Sequence, residues 1–128
     1  MQVKLQVLDS EFSVCRFERN AILPVDLFVS GNFTSITKTQ DEISIVVESA
    51  RVPWGSHVES GWRMLQIDGP LSLDTIGILS SVSVALSEAG ISVFVISTYD
   101  TDYILVKECK LDLARTVLQN TGFTVYQD

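Results

Sequence analysis

The sequence predicts an α+β fold: two ferredoxin-like βαββαβ units in tandem, each an antiparallel sheet with helices on one face, the helix of the first unit reduced. Three observations lead there. Short β-branched and aromatic runs recur along the whole chain, as strands require. Residues 61–128 spell strand, helix, strand, strand, helix, strand, the split βαβ order. A shift of 60 lays the first half on the second, with Phe33 on Val93, Ile36 on Ile96, Val46 on Val106 and Leu5 on Leu65, which marks an internal duplication. The expected units are a degenerate half at 1–60 and a complete one at 61–128.

Each element follows from local pattern. Val3, Leu5 and Val7 alternate with polar residues, Asp9 and Ser10 carry turn chemistry, and Phe12 to Phe17 resumes a strand, so the N-terminus reads as a hairpin. Pro24 suits the first turn of a short helix in PVDLF, which Ser30, Gly31 and Asn32 end. Phe33–Thr37 and Ile43–Val47 form a second hairpin. Met64, Leu65 and Ile67 form a strand, and Ser72 is placed to cap a helix over Leu73–Ala89 that Gly90 closes. Ile91–Tyr99 and Tyr103–Val106 are strands around Asp100–Asp102. Leu111, Ala114, Val117 and Leu118 mark a helix closed by Gly122, and Phe123–Tyr126 is a last strand.

The 128 residues are 46% hydrophobic, enough for a packed core and against disorder. A net charge of −7 speaks against binding to a phosphate backbone, so nucleic acid is excluded as a partner. The apolar run Ile91–Ile96 is far short of the roughly 20 residues of a membrane span, and the opening MQVKLQVLDSEF lacks the pattern of a signal peptide. A cytoplasmic location without membrane contact is expected. Cys15 and Cys109 read as two buried free thiols, and His57, the single histidine, as a solvated loop side chain in Arg51–Gly61. No metal or cofactor is expected.

Chemistry concentrates in Ile67–Gly77 and Ile96–Glu108. Gly69 and Pro70 set a tight turn before a helix whose first amides, near the Ser72 cap, would receive a small carboxylate. The plain alternative is that Ser72 only caps. Gly77, placed inside the predicted helix at a cost of about 1 kcal/mol against Ala, points to close approach of a ligand or a backbone, or to packing on the sheet. Asp100 and Asp102 flank Thr101; solvated turn residues are their ordinary role, and with no nucleophile or metal cluster beside them an enzyme is disfavoured. A carboxylate beside a helix start offers two poles that match a zwitterion.

The stretch GPLSLDTIGILSSVSVALSEAGISVFVISTYDTDYILVKE resembles the ACT-domain branch that includes small bacterial tandem ACT proteins and the CASTOR arginine sensors, and FTSITKTQDEISIVVE resembles the strand pair of their preceding half. ACT domains are ferredoxin-like regulatory modules that bind amino acids at domain interfaces. By position, the resemblance implies ligand contacts at Thr75, Ile76, Gly77 and Leu79 on the helix, and at Thr98, Tyr99 and Asp102 on the strand and turn. The small Thr75 departs from the branch and leaves arginine undetermined as the ligand. Because the chain matches one ACT pair, the resemblance implies that a second copy, in a homodimer, completes the pocket.

The function expected is non-enzymatic and allosteric: an amino acid or similar small polar ligand binds between ACT units, and occupancy is relayed to a regulated protein. The rival is a ligand-independent module that pairs through its sheet edges with a regulated enzyme.

Overall fold

The computed structural model describes residues 3–55, 57–69 and 76–128. The chain runs β1 (Lys4–Phe17), α1 (Asp26–Val29), β2 (Thr34–Lys38), β3 (Ile43–Glu48), β4 (His57–Ile67), α2 (Ile78–Glu88), β5 (Val93–Ser97), β6 (Asp102–Lys107), α3 (Leu111–Thr121) and β7 (Thr124–Tyr126). This is an α+β fold with the expected short first helix. No helix among the described residues is long and apolar enough to cross a membrane.

The N-terminal hairpin is absent, since β1 passes straight through Asp9 and Ser10. Leu5, Val7, Ser13, Cys15 and Phe17 are all buried odd positions. Leu5 and Val7 enter one core cluster and Cys15 and Phe17 the other, with Phe12 and Ser13 both buried between them, so one unreversed strand serves both clusters. His57 likewise lies at the exposed start of a strand and not in a loop. Neither cysteine is in a disulfide, but only Cys15 is buried; Cys109 is exposed in the 3₁₀ turn after β6.

The chain divides into two compact units. One comprises Ser10–Trp62, with strand order β2-β3-β1-β4. Its core gathers Cys15, Phe17, Leu27, Ile43, Ile45 and Val47. The other comprises Arg63–Asp128 with the start of β1, in the order β7-β1-β4-β6-β5. Val82, Ala85 and Leu86 of α2 and Leu111, Ala114 and Leu118 of α3 bury a common cluster with Leu5, Val7, Leu65, Ile67, Ile104 and Val106. Spacings of three and four on each helix supply that face.

The βαββαβ order is present from β4 to β7, but the last strand is placed differently from a self-contained unit. Thr124–Tyr126 pairs in parallel with Lys4–Gln6 of β1. A segment from the N-terminus thus stands where a free-standing split βαβ unit would use its own first strand.

The hairpins β2–β3 and β5–β6 have equal strands and equal four-residue turns, and each is followed by a 3₁₀ turn. Their elements begin 59 positions apart (34 and 93, 43 and 102, 49 and 108), not 60. At 59, Ile45, Val46 and Val47 fall on Ile104, Leu105 and Val106, all buried, and Leu27 falls on Leu86. The turns agree in detail. Thr39 N donates to Glu42 O at 2.9 Å, and Thr98 N donates to Thr101 O at 2.8 Å. The shift of 60 is off by one because it matched strand-forming residue types, which alternate faces; the correct offset also matches the faces.

At the same offset α1 corresponds to the last turn of α2, and Gly31 and Gly90 follow with φ of +76° and +75°. Pro24, which has no amide hydrogen, lies just ahead of α1. Gly90→Ala is expected to lower stability by about 1–2 kcal/mol in urea unfolding, the cost of a left-handed backbone for a residue with a Cβ.

Candidate functional site

The predicted site residues lie where β4 leads to α2 and where β5 turns into β6. Pro70, Ser72 and Thr75 lie outside the described residues. Helix α2 begins at Ile78, not Leu73, and its N-cap is Gly77 at φ +90°. Gly77 O accepts the first helical bond from Ser81 N at 2.9 Å. Gly77 is therefore outside the helix, and nothing among the described residues comes within 4 Å of where its Cβ would be. Backbone conformation, not close approach, is what requires glycine here. Ile76 is exposed, whereas Leu79 packs against the core cluster and so belongs in part to the hydrophobic core.

The β5–β6 turn is a closed ring of hydrogen bonds. Thr98 Oγ1 donates to Thr101 O at 3.1 Å, and Thr101 N donates to Thr98 Oγ1 at 3.3 Å. Thr98, Tyr99 and Asp100 are exposed; Thr101 is 3% exposed. Its hydroxyl donates to Ile67 O, the last carbonyl of β4, at 2.6 Å. That bond joins the turn to the loop bearing Gly69. Asp102 opens β6 opposite Ser97 and is half-buried. Among the described residues, no hydrogen bond or ion pair reaches its carboxylate. Burial, and after it the negative Asp100, raises the Tyr103 phenol above its ordinary pKa.

The loop after β4 has anchors of its own. Asp68 N donates to Lys4 O at 2.9 Å, and the Asp68 carboxylate accepts the Tyr126 hydroxyl at 2.8 and 3.0 Å. That hydrogen bond, with lesser contributions from burial and nearby carboxylates, holds the Tyr126 phenol above its ordinary pKa. Thr101 thus links the turn at Thr98 to the end of β4, two residues before Gly69. No hydrogen bond among the described residues joins Ile76, Gly77 or Leu79 to the turn. Sequence reasoning passed over Thr101, Asp68 and Tyr126, and a lone threonine between two aspartates carries no signal of burial.

The other unit has an open cavity of about 400 Å³ beside α1, lined by residues 27–34 and Ile36. Its walls are braced by Arg51, which pairs with Glu48 and donates to Thr34 Oγ1 at 3.1 Å and to Phe33 O at 3.3 Å. Glu48 Oε2 accepts Asn32 N at 2.8 Å. Burial pushes the Glu48 carboxyl up, but the Asn32 amide and the Arg51 guanidinium together hold it below its ordinary pKa. This arrangement has no counterpart at Lys107 and Lys110, the residues 59 positions on.

A family model described as ACT domain matches residues 57–120, half of the chain, and a second model, of an N-terminal domain, matches residues 10–54. Over 59 residues the chain is 41% identical to the human cytosolic arginine sensor for mTORC1 subunit 1 and 37% identical to its mouse counterpart. The matched segment is 45% of this chain but 18% of each sensor. A solved protein of Agrobacterium tumefaciens superposes with a TM-score of 0.90 at 34% identity, covering 100% of this chain and 95% of that one. A Vibrio cholerae protein of unknown function superposes at 0.73 with 19% identity, covering 94% and 91%. Aspartate kinase of Clostridium acetobutylicum shares the fold at a TM-score of 0.67 and 14% identity, over 89% of this chain and 33% of the enzyme.

Proposed function

The chain belongs to the ACT-domain family, and from that premise we propose a non-enzymatic regulatory protein that binds an amino acid, or a similar small polar ligand, at the β5–β6 turn and the loop leading to α2. The observation that carries this reading is the Thr101 bond, which holds the turn against the end of β4, beside a half-buried Asp102 carboxylate that has no partner among the described residues. A carboxylate so placed suits an ammonium or guanidinium group. The likeness to proteins named as arginine sensors supports an amino-acid ligand. The remaining candidate contacts are Gly69, Pro70, Ser72, Thr75, Ile76, Gly77, Leu79, Thr98, Tyr99 and Asp100.

In this reading residues 1–60 and 61–128 are two ACT units in tandem, the first degenerate. The offset of 59 and the matched hairpins support that duplication. A two-fold homodimer would supply the second wall of the pocket, and ligand occupancy would reach a regulated protein through a change of association or shape. Cytoplasmic location belongs to the same reading. Calorimetry against the twenty amino acids tests it, with saturable heat from at least one as the expected result. Light scattering is expected to give a dimeric mass; a strictly monomeric mass, unchanged by amino acids, would remove the interface pocket.

One observation favours a second reading. Strands β2 and β5 stand at the ends of the strand order, and open edges of this kind can pair with another chain. Silence in the amino-acid screen together with a stable heteromeric complex would select it.

A further inference from the structure

We propose that Thr101 is the positioning residue of the β5–β6 turn, coupling it to the end of β4 at Ile67 and Asp68 so that these described segments lose and keep their protection together. The inference rests on the reading above for its meaning in ligand binding, but its structural claim stands independently. Three observations carry it. Thr101 is buried although the three residues before it are exposed. Its hydroxyl is committed to Ile67 O at 2.6 Å, a buried hydrogen bond whose loss would leave the carbonyl desolvated. The next residue after the strand end that it reaches, Asp68, is itself held by Lys4 O and the Tyr126 hydroxyl. Bound to an anchored strand end, the turn inherits that anchorage.

The first hairpin supplies the internal comparison. Its turn has the same threonine ring at Thr39, but Glu42 stands where Thr101 does, and that residue has no buried hydroxyl to give. The two turns are therefore alike in local bonding and differ in the link to a neighbouring strand end. Ligand contacts on Thr98 and Asp102 would be presented in fixed geometry relative to Gly69 in one unit, and the corresponding residues of the other unit would lack that constraint.

Amide hydrogen exchange on the full chain tests this, because Thr98 N, Asp68 N and Thr39 N are each hydrogen-bonded reporters. Thr101→Val, which keeps shape and removes the hydroxyl, is expected to speed exchange at both Thr98 and Asp68 by about tenfold while Thr39 is unchanged. Thr101→Ser, which keeps the hydroxyl, is expected to restore protection at both. In the unaltered protein, protection at Thr98 and Asp68 is expected to fall in parallel as urea is added, which checks the coupling even if the valine variant fails to fold. Unequal urea slopes, or a valine variant that alters only Thr98 or neither reporter, would overturn the proposal. With any amino acid that gives heat on the wild type, Thr101→Val is expected to weaken binding about tenfold and Thr101→Ser to leave it within about threefold. A wild type that binds none of the twenty would sink the functional reading alone and leave the exchange result to decide the coupling.

Discussion

Asp102→Asn is expected to weaken binding of a zwitterionic or cationic amino acid by roughly 1.5–3 kcal/mol, about 10- to 150-fold in Kd, with almost no change in melting temperature. Asp102 sits half-buried at the first residue of β6, where the backbone pairs with Ser97 whichever side chain is present. Asparagine keeps that geometry and most of the volume. It removes the charge that makes the hydrogen bond to an ammonium or guanidinium strong. Asp100→Asn, two positions away, is the comparison for stability: Asp100 is exposed, and an exposed carboxylate seldom changes stability by more than about 0.5 kcal/mol. Calorimetry with a ligand established on the wild type checks both variants, and equal affinity for wild type and Asp102→Asn would take Asp102 out of the site.

Arg51→Met is expected to destabilise the protein by about 3 kcal/mol, because it leaves the Glu48 carboxylate, only 8% exposed, with the Asn32 amide but without its opposite charge. It also removes the donors that tie Leu27 O, Phe33 O and Thr34 Oγ1 together. Adding Glu48→Gln to Arg51→Met is expected to recover part of the loss, since the desolvated charge then disappears with its partner. A pH dependence follows from the same pair. The Glu48 pKa is lower in the folded chain than in the unfolded one, so its contribution is present above the unfolded carboxyl range and is lost as pH falls through the folded value. Urea unfolding across the acid range is expected to show this loss in the wild type and a flatter curve in Glu48→Gln. A wild type and a Glu48→Gln variant with superimposable pH profiles would show that the carboxylate is not held by the pair.

The local elements were legible because their signals are local. Gly90 and Gly122 close α2 and α3 where the sequence places them, and the hairpins β2–β3 and β5–β6 lie on their β-branched runs. Residue types, helical spacing and turn chemistry determined these features without reference to anything distant. Where reversal and continuation compete, local signals fail. Asp9 and Ser10 can turn a chain, yet β1 continues because β3 and β7 each offer a partner along its length, and those partners are distant in sequence. Gly77 shows the same limit at a helix start: a glycine inside an apolar pattern reads as a costly interior residue until its backbone angle shows that it is the cap.

The site divides along the same line. Asp102, Thr98 and Gly69 stood out by residue type, by spacing and by resemblance. Thr101 did not, for its role depends on a carbonyl 34 positions earlier that only β4, packed beside β6, brings within 2.6 Å. The hairpins β2–β3 and β5–β6, the short α1 and the closing ends of α2 and α3 were readable from the sequence alone, since contacts within a few residues settle them. The parallel seat of β7 on β1 and the Thr101 bond to Ile67 O came only with the tertiary structure, because each joins groups far apart in the chain; Glu48 and Arg51 are neighbours in sequence, but their burial against Asn32, Phe33 and Thr34 also waits on packing.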